Sequence, residues 1–272
     1  MTPSMLYVRA GESRVLENTA ETVKLTTDDT LGAYTLWEER VPRGARSKVR
    51  LAQESARTYY VLQGRVAFRG QEVGAVVASA GDVIHFPQAG EYTYESVSEE
   101  PGVLLALLAP ADTSRRFRHI KAGEGRSLHV ITDIGTFKLT REDTAGAYLL
   151  MEWRVPPQAG VAMHAQAGIE TFYIVEGSFS FRGQRSSEHY TLLAERGDVI
   201  HVAERVPHSY RNIGNDPGRM LVWMAPAGRA QQFFEEIGSP VEDASAFPAA
   251  PALPDPAVLR ATLQKYKVDF FL

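Results

Sequence analysis

Apolar and polar residues alternate with a period of two along much of the chain. Phe179 and Phe181 alternate with Ser178, Ser180 and Arg182, and Tyr34, Leu36, Glu38 and Arg40 belong to a similar stretch. Successive side chains of an extended strand point to opposite faces, so this pattern predicts strands with one face toward a core. Glycine-bearing turns at Gly64, Gly70, Gly177 and Gly183 cut the runs into short pieces, the signature of an all-β sandwich or barrel. Helix signals are few. The spacing predicts short helices over 114–120 and 230–237, a Pro/Ala-rich linker or wrapped arm over 239–256, and a final helix over 256–267. Asp255 would cap that last helix, with Pro256 at its first position.

The pattern occurs twice. TLGAYTLWEERVP (30–42) is answered by TAGAYLLMEWRVP (144–156), TYYVLQGRVAFRGQ (58–71) by TFYIVEGSFSFRGQ (171–184), and AGDVIHF (80–86) by RGDVIHV (196–202). RAGES (9–13) is echoed by KAGEG (121–125). Ordered blocks of this kind identify two copies of one supersecondary plan. The expected division is an N-terminal barrel over 1–120, a C-terminal barrel over 121–238, and an arm with a terminal helix over 239–272. Such a chain would have a pseudo-twofold plan, and further pairing through edge strands would give a homodimer.

Composition narrows the chemistry. With 272 residues, 44% of them hydrophobic, the chain can fill two cores. Its net charge of −4 and lack of a basic run argue against a nucleic-acid partner. There are no cysteines, which excludes disulfides, thiolate metal sites and a cysteine nucleophile. MTPSMLYVRAGES lacks the charged-then-apolar order of a signal peptide, and no apolar run approaches the roughly 18 residues of a membrane span. A soluble, cytoplasmic protein acting on a small molecule, with no membrane partner, is expected.

Any metal must then be held by imidazole, carboxylate or amide oxygen. The second copy offers His164, Gln166, Glu170 and His208. His164 and Gln166 are two apart on a predicted strand edge and so share a face. Glu170 lies beyond the turn Ala167–Gly168, and His208 comes from another hairpin. Two imidazoles and one carboxylate on an inward face make a facial-triad set with open positions, suited to Fe(II) first, and also to Ni, Mn, Co, Cu or Zn. Gln166 has two readings, a fourth ligand through its amide oxygen or a partner of a bound water. In the first copy the aligned residues are Leu51, Gln53, Arg57 and Tyr92, which would leave no metal site.

These residues resemble the motifs of the cupin superfamily. Gly160, His164, Glu170 and Gly177 follow its first motif, with Gln166 in place of the second histidine and a shortened gap before His164. Gly197, His208 and Asn212 follow its second motif, with Ala203 and Arg205 replacing a proline and a glycine. The resemblance covers roughly residues 10–235 and implies two tandem jelly-roll (double-stranded β-helix) barrels. Within the superfamily the chain is similar to quercetin 2,3-dioxygenase-like bicupins, and LQKYKVDF (263–270) resembles their closing helix.

That likeness implies a metal-dependent dioxygenase acting on an aromatic or polyketide-like molecule, with Glu170 as ligand and general base. Met163, Phe172, Phe181 and Tyr210 would be its pocket contacts. Other bicupin activities remain open: a polyketide cyclase, isomerase or decarboxylase using the metal as Lewis acid, or a ligand-binding, sensory or storage protein without catalysis. His85 and His201, shared by both copies, are expected to be structural.

Overall fold

The structure is a computed structural model, and it describes residues 5–14, 21–50, 54–71, 73–88, 90–110, 116–185, 188–247 and 255–271. Strands dominate, and the strand-to-strand ladders are antiparallel throughout the described sheets. The chain forms two compact units. One gathers Met1–Ala10, Gly125–Arg141 and Tyr148–Leu272; the other gathers Gly11–Glu124 and Glu142–Ala147.

In the C-terminal unit a sheet of eight strands runs in the order Met5–Val8, Val199–Val202, Ile169–Glu176, Gly218–Ala225, Leu149–Val155, Asp133–Leu139, Ser127–Val130, Ser239–Val241. The facing sheet of five runs Glu188–Ala194, Phe179–Arg185, His208–Asn212, Gly160–Ala165, Asp269–Phe270. Between them lies a core that includes Met151, Trp153, Phe172, Phe179, Phe181, Met220 and Val222. The alternation read from the sequence has its cause here: one residue in two faces this core. The N-terminal unit repeats the plan with six strands facing four, around Trp37, Tyr59, Phe68, Phe86, Tyr92 and Tyr94.

Aligned on RAGES and KAGEG, the strand that leads into each copy pairs with the other copy's barrel. Met5–Val8 pairs with Val199–Val202 in the C-terminal unit, and Arg118–Ile120 pairs with Val83–Phe86 in the N-terminal one. The same aspartate fastens both arrangements. Asp198 accepts from the Ala10 amide at 2.7 Å and from Tyr7 Oη at 2.8 Å, and Asp82 accepts from the Ala122 amide at 2.7 Å.

This corrects the helix expected over 114–120. Residues 114–115 lie outside the described residues, and 118–120 are a strand, because the open edge of Val83–Phe86 satisfies their backbone while Ile120 is buried. The helix Ala230–Ile237 (α1) forms as expected. In the arm, Ser239–Val241 adds a strand to Ser127–Val130, and residues 248–254 lie outside the described residues. The helix Pro256–Tyr266 (α2) starts where Asp255 caps the Ala257 and Val258 amides and ends at Lys267, which is left-handed at φ 57°.

Candidate metal centre

Three elements bring the site together. His164 sits near the end of Gly160–Ala165, next to an irregularity between Val161 and His164, and its backbone register places it opposite His208. Glu170 reaches in from the other sheet, on Ile169–Glu176. The turn between them needs Gly168: its φ is +89°, and a side chain there would meet the Ala225 carbonyl at 2.9 Å.

One ligand atom from each of His164, Glu170 and His208 falls within 4.8 Å of the others, and all three residues are buried. Each imidazole donates its Nδ1–H to a backbone carbonyl, His164 to Ala162 at 3.0 Å and His208 to Val206 at 2.9 Å. That fixes the tautomer and turns both Nε2 lone pairs inward, the arrangement that outer partners impose on metal-binding histidines.

His208 Nε2 then stands 3.1 Å from Glu170 Oε2. Two lone-pair-bearing atoms this close in a dry site require a cation or a proton between them. Two ligand atoms about 2.1 Å from one ion at right angles stand about 3 Å apart, so this pair has the spacing of two ligands to one divalent ion, with His164 as the third candidate within 4.8 Å.

The charges agree. Burial, followed by the charge on His208, lowers the His164 pKa to about 4, so its imidazole is neutral and available as a ligand near neutral pH. Burial pushes the Glu170 carboxyl upward. The His208 hydrogen bond, the favourable electrostatics of the two imidazoles and the Gln166 amide together outweigh that and hold it below its ordinary value. Gln166 donates its amide N–H to Glu170 Oε2.

Beside these atoms lies a recess of about 130 Å³, lined by Gln166, Gly168, Glu170, Val202, Ala203, Val206 and His208. Met163, Phe172, Phe181 and Tyr210 are not among its lining residues. Phe172 and Phe181 are fully buried, with ring centroids 5.1 Å apart, and Phe172 packs edge-on to His208 at 6.1 Å. They form a floor beneath the ligands. Tyr210 donates to Asp133 at 2.7 Å, and Met163 offers its carbonyl to the Phe271 amide. His201 and His85 are hydrogen-bonded to Thr171 and Thr58, each at 2.7 Å, in matching structural roles.

Two features had no sequence signal of their own. Val202, Ala203 and Val206 line the recess, and Phe270 stacks on His164 with centroids 5.5 Å apart and planes 22° apart. The strand Asp269–Phe270 pairs with His164 and Ala165. In the N-terminal unit, Leu51 and Gln53 lie outside the described residues. Arg57 and Tyr92 occupy an aromatic cluster, where Tyr59 Oη and Tyr92 Oη are 2.8 Å apart.

Comparison with known proteins agrees with the fold. Residues 151–224 match the Cupin domain family. Among solved structures, the oxalate decarboxylase of Lactobacillus farciminis in complex with formate superposes with a TM-score of 0.65 at 13% identity, over 83% of this chain and 88% of that one. A two-residue-deletion variant of the Bacillus subtilis oxalate decarboxylase gives 0.64 at 13% identity, over 84% and 78%. No curated protein sequence matches the chain. Residues 151–224 thus carry a cupin domain, the chain shares its fold with these structures over most of its length, and the similar structures named here are oxalate decarboxylases rather than quercetin dioxygenases. No helix among the described residues is long and apolar enough to cross a membrane.

Proposed function

We propose that this chain is a single-ion enzyme whose C-terminal barrel holds one divalent metal on His164, Glu170 and His208 and acts without dioxygen on a small carboxylate or enolizable acid, as a decarboxylase or isomerase. The observation that carries the reading is the convergence of three buried ligand atoms whose histidines are locked by backbone carbonyls.

The recess is shallow, and Gln166, Glu170 and His208 give it polar atoms beside an apolar wall, a lining suited to a carboxylate or enolizable group. The superposable oxalate decarboxylases share the fold and are consistent with non-oxidative chemistry. A bound ion would supply Lewis acidity, polarising a substrate oxygen. Gln166 would hold the Glu170 carboxylate in orientation, and Glu170, on the recess wall, is within reach of a proton released there. The apolar wall of Val202, Ala203 and Val206 would exclude water.

A second reading is favoured by one specific feature. Two histidines and one carboxylate, with no third imidazole among the described residues, are the ligand set of Fe(II) dioxygenases. The test is metal content by inductively coupled plasma mass spectrometry, followed by turnover of short mono- and dicarboxylic acids under nitrogen and under air. About one ion per chain and carbon dioxide release or isomerisation under nitrogen would support the proposal. Turnover that consumes dioxygen would install the dioxygenase in its place. A chain that takes up no ion would refute both.

A further inference from the structure

Arg205 stands where the second cupin-type motif has glycine, and its backbone is left-handed at φ 61°. A non-glycine residue resists this conformation because its Cβ crowds the neighbouring carbonyl. Its side chain leaves the turn and reaches the segment after α2: Nη1 donates to the Lys267 carbonyl at 3.1 Å and to Asp269 Oδ2 at 3.2 Å. Its own amide donates to the Gln166 carbonyl at 3.0 Å, so one residue ties the recess turn to the C-terminal segment.

That segment closes on a ligand. Asp269–Phe270 pairs with Ala165 and His164, the Phe271 amide donates to the Met163 carbonyl at 2.9 Å, and the Phe270 ring stacks with an offset against the His164 imidazole. Upstream, α2 is moored to α1, because Glu236 accepts from Thr262, Lys265 and Tyr266. Lys267, left-handed between helix and strand, is the joint.

We infer that residues 267–271 form a strap that holds His164 in its ligating orientation and covers the ion, with Phe270 as the positioning residue and Arg205 as the clamp. The inference rests on the metal reading above. The moored helix is the fixed end, and the two-residue ladder with its exposed clamp is the part that opens. A short ladder of this kind costs far less to open than the barrel does, so the ion exchanges through strap opening. Arg205 replaces a relaxed glycine with a strained residue whose reach secures the strap.

The experiment uses Co(II), whose visible absorption reports coordination, loaded into the full chain and stripped with excess chelator. Phe270→Ala should bind Co(II) roughly ten- to hundredfold more weakly, as loss of an outer partner of a ligand does. It should also strip faster, with an altered spectrum. Phe270→Tyr should restore all three. Arg205→Gly should keep or raise the melting temperature of the metal-free protein while stripping faster, a combination that loss of a purely structural contact does not give. Leu193→Ala, an exposed side chain on the strand Glu188–Ala194 away from the strap, should behave as wild type. Wild-type affinity, spectrum and stripping rate in both Phe270→Ala and Arg205→Gly would overturn the strap. If Phe270→Ala does not fold, Phe270→Leu and Arg205→Gly decide it. Failure of the wild type itself to bind Co(II) would instead sink the metal reading on which the strap depends.

Discussion

The two barrels of this chain share a frame and differ in what fills it. Each has a Gly-Asp-Val-Ile-His strand whose aspartate fastens an entering strand and whose histidine is hydrogen-bonded to a threonine. In each, a tyrosine donates to a buried carboxylate, Tyr210 to Asp133 and Tyr94 to Glu39. The difference lies at the ligand positions. Where the C-terminal barrel has Glu170, His208 and Val202, the N-terminal barrel has Arg57, Tyr92 and Phe86. There the Phe86 and Tyr92 rings stack 3.8 Å apart within 5° of parallel, and the Arg57 guanidinium lies 5.0 Å over Trp37. Aromatic rings take the place of ligand atoms. Residues common to both barrels therefore hold the frame, and the residues that differ mark the candidate site.

The largest effect expected from this contrast is at aligned His208 and Tyr92. His208→Ala should abolish ion retention, read by mass spectrometry, with the fold intact by circular dichroism. Tyr92→Ala should leave ion content unchanged while costing about 3–5 kcal/mol of stability, as large-to-small changes at buried aromatic positions do. Loss of the ion in both variants would break the division of labour.

A smaller effect concerns the buried carboxylates. Burial raises the Asp133 pKa to about 6, from an ordinary 3.8, despite the Tyr210 and Thr132 hydrogen bonds. The folded state then holds a proton that the unfolded chain releases. This group's contribution is complete below about pH 4 and is lost as pH rises through about 6. Relative to Asp133→Asn, the metal-free wild type should lose roughly 3 kcal/mol across that window. Denaturant unfolding at pH 4 and pH 7 measures the difference. Burial also raises the Glu39 carboxyl, so Glu39→Gln should move the N-terminal barrel in the same direction. A pH-independent difference for Asp133→Asn would contradict this account.

Gln166→Ala should weaken ion binding roughly tenfold or more by freeing Glu170, whereas Arg57→Ala should leave ion affinity unchanged; calorimetric titration separates the two. The smallest effect is at the shared frame. Thr58→Val and Thr171→Val should each cost about 1–2 kcal/mol through a buried histidine left without its hydroxyl partner. Markedly unequal losses in thermal unfolding would show that the frame is not equivalent in the two barrels.

Much of this was legible in the sequence. The period-two alternation and the repeated blocks imply two β-barrels because burial of one strand face is a local, periodic requirement. His164, Glu170 and His208 stood out because their spacing follows a motif and their partners in the other copy cannot bind a cation. The strand at 118–120 was misread as a helix because seven residues carry too little periodicity to outweigh an open sheet edge elsewhere in the chain. Neither the exchange of first strands nor the recess was legible, since both depend on nonlocal pairings, Met5 with Val202 and Glu170 with Val202. Phe270 on His164 is the clearest case. The sequence supplied an aromatic residue 106 positions from a ligand, and only the tertiary path of α2 and its strap set one ring upon the other. Local chemistry is written in residue order, whereas a nonlocal contact is decided by which backbone edges remain open when the barrels close.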